Sequence, residues 1–414
     1  GCLIVEIDCL SLLFFFFLHL ELSNLEKEKG RRGVVCLIIL NELIVSTDKR
    51  QSHWTCFASD DQSLLRCGME YEMPNGIPIH ASRNRIYCTQ KLRCGIRISE
   101  DCQYLSVWTP STDFQNRAKP LVPFMVWIYG GGFSTGTASL DVYDGRFLIH
   151  SQQVVLVSMI YRVGALDFLS LPESKSIKGN VGLFNQCLAL SWMARNIDAF
   201  GVGSVGHHLL SQGSHGLFTH TILQSGNPNA MWAAVDLQFD DISDPKIISV
   251  PFQPTVDGEF LVDMQSVLIQ SGCFLKIELL LGLNRNQGTY FLVYGAPGFG
   301  IDNQSLINQD QFLTGVSMGL PGFSDIAREV AAFQCTDWTD EQYNGRLFLF
   351  NHRSTLSRRI MEHWNNFARS GVEGADLLPF TLEHQQYVTL NTGLSQTLRM
   401  LRDQQCKFWD SFLP

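Results

Sequence analysis

The chain has 414 residues, of which 45% are hydrophobic and 17% charged, and a formal net charge of −9. That apolar share supports a large buried core in one big α/β domain or two medium ones. The acidic balance without a long basic run argues against a nucleic-acid partner, and twelve irregularly spaced cysteines with no CxxC pair argue against a zinc site.

In chain order, the run LSLLFFFFLHL (residues 10–20) is too short to span a membrane. Glu6 and Asp8 ahead of it make a poor signal-peptide n-region, whereas EKEKGRRGVVCLIIL places basic residues before a second short apolar stretch. Residues 1–41 therefore read as an N-terminal segment that is unassigned or signal-like, and 42–414 as one domain. Within it, residues 76–98 are basic, lack either structural period and look like a foreign insert. From Ser99 the texture changes. LVPFMVWIYGGGF is a continuous apolar run ending in glycines, which suits a buried parallel strand and a loop, and QVVLVSMIYRV predicts a second such strand. GLFNQCLALSWMARNIDAF has helical spacing at Leu183, Cys187, Leu190 and Ala194, and HTILQSG predicts a further strand. Strands alternating with helices imply an α/β fold with a mostly parallel sheet covered on both faces.

NIDAFGVGSVGHHLL holds a glycine-flanked serine, Ser204, but the position two before it is Val202, so the G-x-S-x-G elbow of a nucleophilic serine is not formed. GVSMG, around Ser317, fits that pattern but follows a polar, helix-like segment instead of a buried strand. Asn303-Gln304-Ser305 is a glycosylation sequon, usable in a secreted chain.

SEDCQYLSVWTP, VWIYGGGFSTGTASLDVYDGRFL, VSMIYRVGALDFLSLP, GNVGLFNQCLALSWM, ILQSGNPNAMWAAV, PTVDGEFL, GTYFLVYGAPGF and LRDQQCKFWDSFLP together resemble the type B carboxylesterases, and among them the cholinesterases. The likeness runs with gaps from about Ser99 to Pro414 and more faintly from Glu42. It implies an α/β-hydrolase fold with a serine–glutamate–histidine triad under an aromatic gorge, hydrolysing choline esters through a serine acyl-enzyme. No metal or organic cofactor is implied.

Carried over by position, the resemblance gives Gly131 and Gly132 to the oxyanion hole. A backbone without a Cβ lets amides approach a developing oxyanion, and one such donor contributes about 3 kcal/mol. The strand, elbow and nucleophile that should separate Phe200-Gly201 from Ser204 are missing, so Ser204 matches a helix serine beyond the nucleophile. Gln287 stands at the position of the triad acid. The triad histidine belongs to a segment missing between Leu356 and Ser357, and His352 and His363 nearby do not share its context. Trp232, Tyr290, Phe291 and Tyr294 match gorge aromatics, and Asp61 a rim aspartate, suited to a quaternary ammonium by charge and cation–π attraction. The main choline-binding tryptophan is replaced within EYEMPN, and Ser134 stands where a rim tyrosine is expected. Ile248 and Val250 replace acyl-pocket phenylalanines, which predicts a wider pocket. Cys102 is implied to pair with Cys56, and Cys406 to match a cysteine whose partner lies in a missing block.

The sequence thus predicts a cholinesterase-like esterase fold that is incomplete and inactive as written. The other readings are a non-catalytic relative acting in ligand binding or adhesion, and a decayed gene product. The implied partners are a choline ester or another small ester, with homo-oligomerisation or membrane or synaptic attachment in the full-length family member. The implied location is secreted or at the extracellular cell surface.

Overall fold

A computed structural model describes residues 2–7, 52–58, 65–68, 86–88, 97–99, 102–110, 122–140, 143–171, 174, 177–195, 206–230, 233, 252–284, 291–292, 295–300, 306–320, 323–336, 354–371, 379–390 and 395–411. The strands are β1 (Cys2–Ile7), β2 (Ser52–Ala58), β3 (Leu65–Gly68), β4 (Ile86–Cys88), β5 (Arg97–Ser99), β6 (Tyr104–Thr109), β7 (Phe124–Ile128), β8 (Val155–Met159), β9 (His220–Gln224), β10 (Glu278–Asn284), β11 (Gln386–Leu390) and β12 (Gln396–Arg399). The helices are α1 (Arg146–Gln152), α2 (Ala165–Phe168), α3 (Val181–Arg195), α4 (Gly206–Leu210), α5 (Gln265–Gln270), α6 (Gln309–Gly319), α7 (Asp325–Cys335), α8 (Ser354–Ser370) and α9 (Asp403–Asp410).

β8 shows how the sequence builds the sheet. Every residue of VLVSM is buried, as a strand covered on both faces requires. Alternate side chains then serve opposite layers. Val155, Val157 and Met159 join Leu105, Val107 and Phe124 against Ala189, Leu190 and Met193 of α3. On the other face Leu156 joins Trp108 and Met125 against Leu148 and Ile149 of α1, with Met361 and Trp364 of α8 packed on them. The result is a helix–sheet–helix sandwich. Each fully buried Leu or Met in it contributes about 1.5–3 kcal/mol by transfer.

The strands divide into two five-stranded sheets, ordered β3-β2-β6-β8-β7 and β12-β11-β1-β10-β9, with β4 and β5 as a separate parallel pair. β7 and β8 run parallel, while β8, β6, β2 and β3 alternate in direction. In the second sheet β9, β10, β1 and β11 run parallel, with β12 antiparallel at its edge. β7 and β9 are each the last described strand of their sheet. Among the described residues the expected mostly parallel sheet is seen in two parts, one mostly parallel and one mixed. α8 ties the parts together: Ile360 and Phe367 lie in the core under the second sheet, and Trp364 touches both cores.

The N-terminal residues enter this sheet. Cys2–Ile7 form β1 and pair in parallel register with β10, Cys2 opposite Leu279 and Ile7 opposite Asn284. Within the supposed insert 76–98, β4 and the start of β5 are short strands. The apolar run at 10–20 lies outside the described residues.

Candidate active site

At the carboxyl end of β7 the chain passes through Tyr129 and Gly130 into a tight turn. Gly131 has φ +148°, Gly132 φ +59° and Phe133 φ +59°. A Cβ at Gly131 would lie 2.0 Å from the Thr135 carbonyl oxygen, so that position requires glycine on both conformational and steric grounds. The Gly131 carbonyl accepts from the amides of Ser134 (3.2 Å) and Thr135 (3.1 Å). Among the described residues no hydrogen bond occupies the Gly131 or Gly132 amide, and Gly131 is exposed. The turn can therefore offer its two N–H groups to an anion, the chemistry of an oxyanion hole.

The turn rests on a rigid base. The Tyr129 and Tyr161 rings stack at 4.4 Å, the Tyr161 hydroxyl donates to the Tyr129 carbonyl at 2.9 Å, and the Tyr129 hydroxyl donates to the Tyr161 carbonyl. Burial raises the pKa of both phenols, so both stay protonated donors. Phe133 fastens the turn on the other side. Its carbonyl accepts from the Gly164 amide at 2.7 Å, just before α2, and its ring meets Phe168 at 5.2 Å and His207 at 5.4 Å. Asp167, also on α2, is 3% exposed, and its Oδ2 has no hydrogen-bond partner. Burial pushes its carboxyl up to about 6, against the pull of the Arg162 guanidinium.

A serine–histidine constellation exists, but not at this turn. His208 Nδ1 lies 2.7 Å from Ser214 Oγ, and His208 Nε2 lies 3.1 Å from Gln186 Oε1. With Nε2–H donating to the Gln186 carbonyl oxygen, Nδ1 accepts from the Ser214 hydroxyl. His208 and Ser214 are fully buried and Gln186 is 2% exposed, so no substrate carbonyl reaches Ser214. Burial, then the neighbouring His207, lowers His208 to about 3, and a base that weak would not activate a hydroxyl. His207, lowered by burial to about 4, donates through Nε2 to the Ala233 carbonyl at 2.9 Å. Both histidines are satisfied core residues. Nothing in the sequence pattern distinguished them from surface histidines, because the partners Gln186 and Ala233 are distant along the chain.

The other expected positions are distributed as follows. Ser317 lies inside helix α6, not at a strand-to-helix turn, so GVSMG is no elbow. α8 runs unbroken through Leu356 and Ser357, the junction where the triad-histidine segment was expected, and His363 lies further along the same helix. Phe291 is half-buried on a short helical turn. Cys102 is buried and disulfide-bonded. In the strand register Cys56 stands opposite Leu105 on β6 and Cys67 on β3, and its side chain is outside the described residues. Cys406 is a buried thiol packed with Leu283. Ser204, His352, Gln287, Trp232, Tyr290, Tyr294, Asp61, Ile248, Val250 and Asn303 all lie outside the described residues. Of the expected machinery, then, the oxyanion turn is the part whose geometry is on view.

A sequence model of the carboxylesterase family matches residues 77–243, a range that spans this turn. The chain is also 36% identical over 445 aligned residues to an acetylcholinesterase of Bungarus fasciatus, covering 77% of this chain and 73% of that protein. The chain belongs to the carboxylesterase family. Its fold is accordingly that of the α/β-hydrolases, here with helices on mixed sheets, and its likeness to a cholinesterase extends over most of both proteins. Among the described residues no helix is long and apolar enough to cross a membrane.

Proposed function

We propose that this chain is a cholinesterase-type carboxylic ester hydrolase in lineage and architecture, and that it does not hydrolyse esters as it stands. The observation that carries this reading is the pairing of a well-formed oxyanion turn at Gly131 and Gly132 with a sequence that passes from Phe200 to Ser204 without an elbow. Family members of this kind acylate a serine, then hydrolyse the acyl-enzyme; the turn would stabilise both tetrahedral intermediates. The elbow strand belongs between β7 and β9, the last described strands of the two sheets.

Gln287 at the position of the acid can orient an imidazole by hydrogen bonding but supplies no charge to an imidazolium, and loss of that charge alone lowers turnover by about 10⁴. Loss of nucleophile and base lowers it by about 10⁶. The substrate class of the lineage is a choline ester or another small ester. Trp232, Tyr290, Phe291, Tyr294 and Asp61 would line the gorge, and Ile248 and Val250 a widened acyl pocket. A secreted or cell-surface location, glycosylation at Asn303 and a Cys56–Cys102 disulfide belong to the same reading, as do oligomerisation and membrane or synaptic attachment in the full-length family member.

The test is acetylthiocholine turnover by the purified 414-residue protein, expected to stay at the buffer rate. Restoring an elbow segment between Phe200 and Ser204 and a histidine segment between Leu356 and Ser357, together with Gln287→Glu, is expected to bring activity back. Turnover by the unaltered chain would overturn the proposal. Sequencing the transcript across both junctions shows whether the longer form is made.

A further inference from the structure

Asp167 is the one buried carboxyl beside the oxyanion turn, among the described residues, that the ester chemistry does not use. It sits on α2, a helix of a single turn entered through Gly164, and the Gly164 amide is what fastens Phe133 and hence the Gly131–Gly136 turn at 2.7 Å. Two buried polar atoms without hydrogen-bond partners flank this fastening, Asp167 Oδ2 on α2 and Ser134 Oγ on the turn. We propose that Asp167 is a proton-operated positioning residue for the oxyanion turn: neutral, it leaves α2 packed and the Phe133–Gly164 hydrogen bond closed, and ionised, it loosens both.

The physical reason is the cost of a buried carboxylate with an unsatisfied oxygen, which a four-residue helix relieves by opening toward water. The groups around it set the sign. Arg162, two residues before Gly164, favours the anion, while Tyr129, stacked under the turn, interacts unfavourably with it. Tyr161, stacked on Tyr129, remains a neutral donor. α3, packed on α2, has Arg195, its last residue, as its one charged position. His207 reaches the region through Phe133, and its depressed pKa gives the opposite pH dependence, because opening would let it take up a proton as pH falls. The closed carboxyl titrates at about 6, against an ordinary 3.8. By linkage the closed state holds the proton more tightly, so opening becomes easier as pH rises from about 4 to about 6 and levels off above that.

Amide hydrogen exchange on the full 414-residue protein tests this without any hydrolytic readout, so the positioning role stands or falls separately from the proposed esterase lineage. The opening constant of the Gly164 amide, corrected for intrinsic exchange, is expected to rise about tenfold per pH unit between about pH 4 and 6. The amides of Val155, bonded to Pro123, and Leu275, bonded to Leu209, are not expected to share that rise. Asp167→Asn and Asp167→Ser are each expected to flatten the Gly164 profile. A flat or falling wild-type profile overturns the proposal, as does a slope that survives in either variant; if neither variant folds, the sign and midpoint of the wild-type profile decide.

Discussion

The glycine turn and the histidine core differ in a way their residues alone do not announce. Both carry the residue types of hydrolase chemistry. At Gly130–Gly136 strained glycines hold two amides open at the surface over a locked tyrosine pair. At His207, His208, Ser214 and Gln186 a serine and a histidine are in better contact than many resting active sites require, yet they are sealed in the core. Access and basicity, rather than composition, separate a site from a strut.

The contrast can be broken most forcefully at the strut. His208→Ala removes a fully buried ring and leaves Ser214 and Gln186 without their partner. A loss of about 4 kcal/mol in urea denaturation is expected, from cavity formation together with one or two orphaned polar groups. Set against a total of about 5–15 kcal/mol for a typical domain, that is a large fraction.

Next in size is acid sensitivity. His207 and His208 titrate near 4 and 3 when folded, against 6.5 when free. Below pH 6.5 the unfolded chain therefore binds more protons, and stability falls by about 1.4 kcal/mol per pH unit for each histidine. The two histidines together should lower the unfolding free energy by about 2 kcal/mol between pH 6.5 and 5.5. Asp167, whose folded pKa is raised, works in the opposite sense between about 6 and 3.8, gaining stability as pH falls. A protein whose stability does not decline below pH 6.5 would show that these rings are not sealed.

At the turn itself, Gly131→Ala forces a side chain onto the Thr135 carbonyl at a φ of +148°. A drop of about 1–3 kcal/mol is expected in thermal melts. In a chain with the elbow and histidine restored, the same change should also lower kcat with KM little altered, since the oxyanion exists only after attack. The smallest effect is reserved for the decoy. Ser317→Ala, in α6, should change stability by less than about 0.5 kcal/mol, and should leave any restored turnover untouched.

Much of this was legible in one dimension. The apolar runs FMVWI and VLVSM became β7 and β8, HTILQ became β9, and the helical spacing of Leu183, Cys187, Leu190 and Ala194 became α3, which meets the sheet through Ala189, Leu190 and Met193. The glycine triplet identified the turn. The pairing order of the described strands was not legible, nor was the insertion of Cys2–Ile7 between β10 and β11, because a strand's neighbours are chosen by long-range pairing, which its own residues do not encode.

The sequence by itself determined the family-bearing segments, the strands β7, β8 and β9, the glycine turn and the lack of an elbow before Ser204. These depend on local conformational preference and on residue order, which are read directly. Tertiary structure alone decided that His207 and His208 are neutral core residues, that α8 bridges both sheets and that Asp167 lies buried behind the turn. Burial and the pKa shifts that follow from it arise from what is packed against a side chain, and for these histidines key partners come from segments more than twenty residues away, Gln186 beside His208 and Ala233 beside His207.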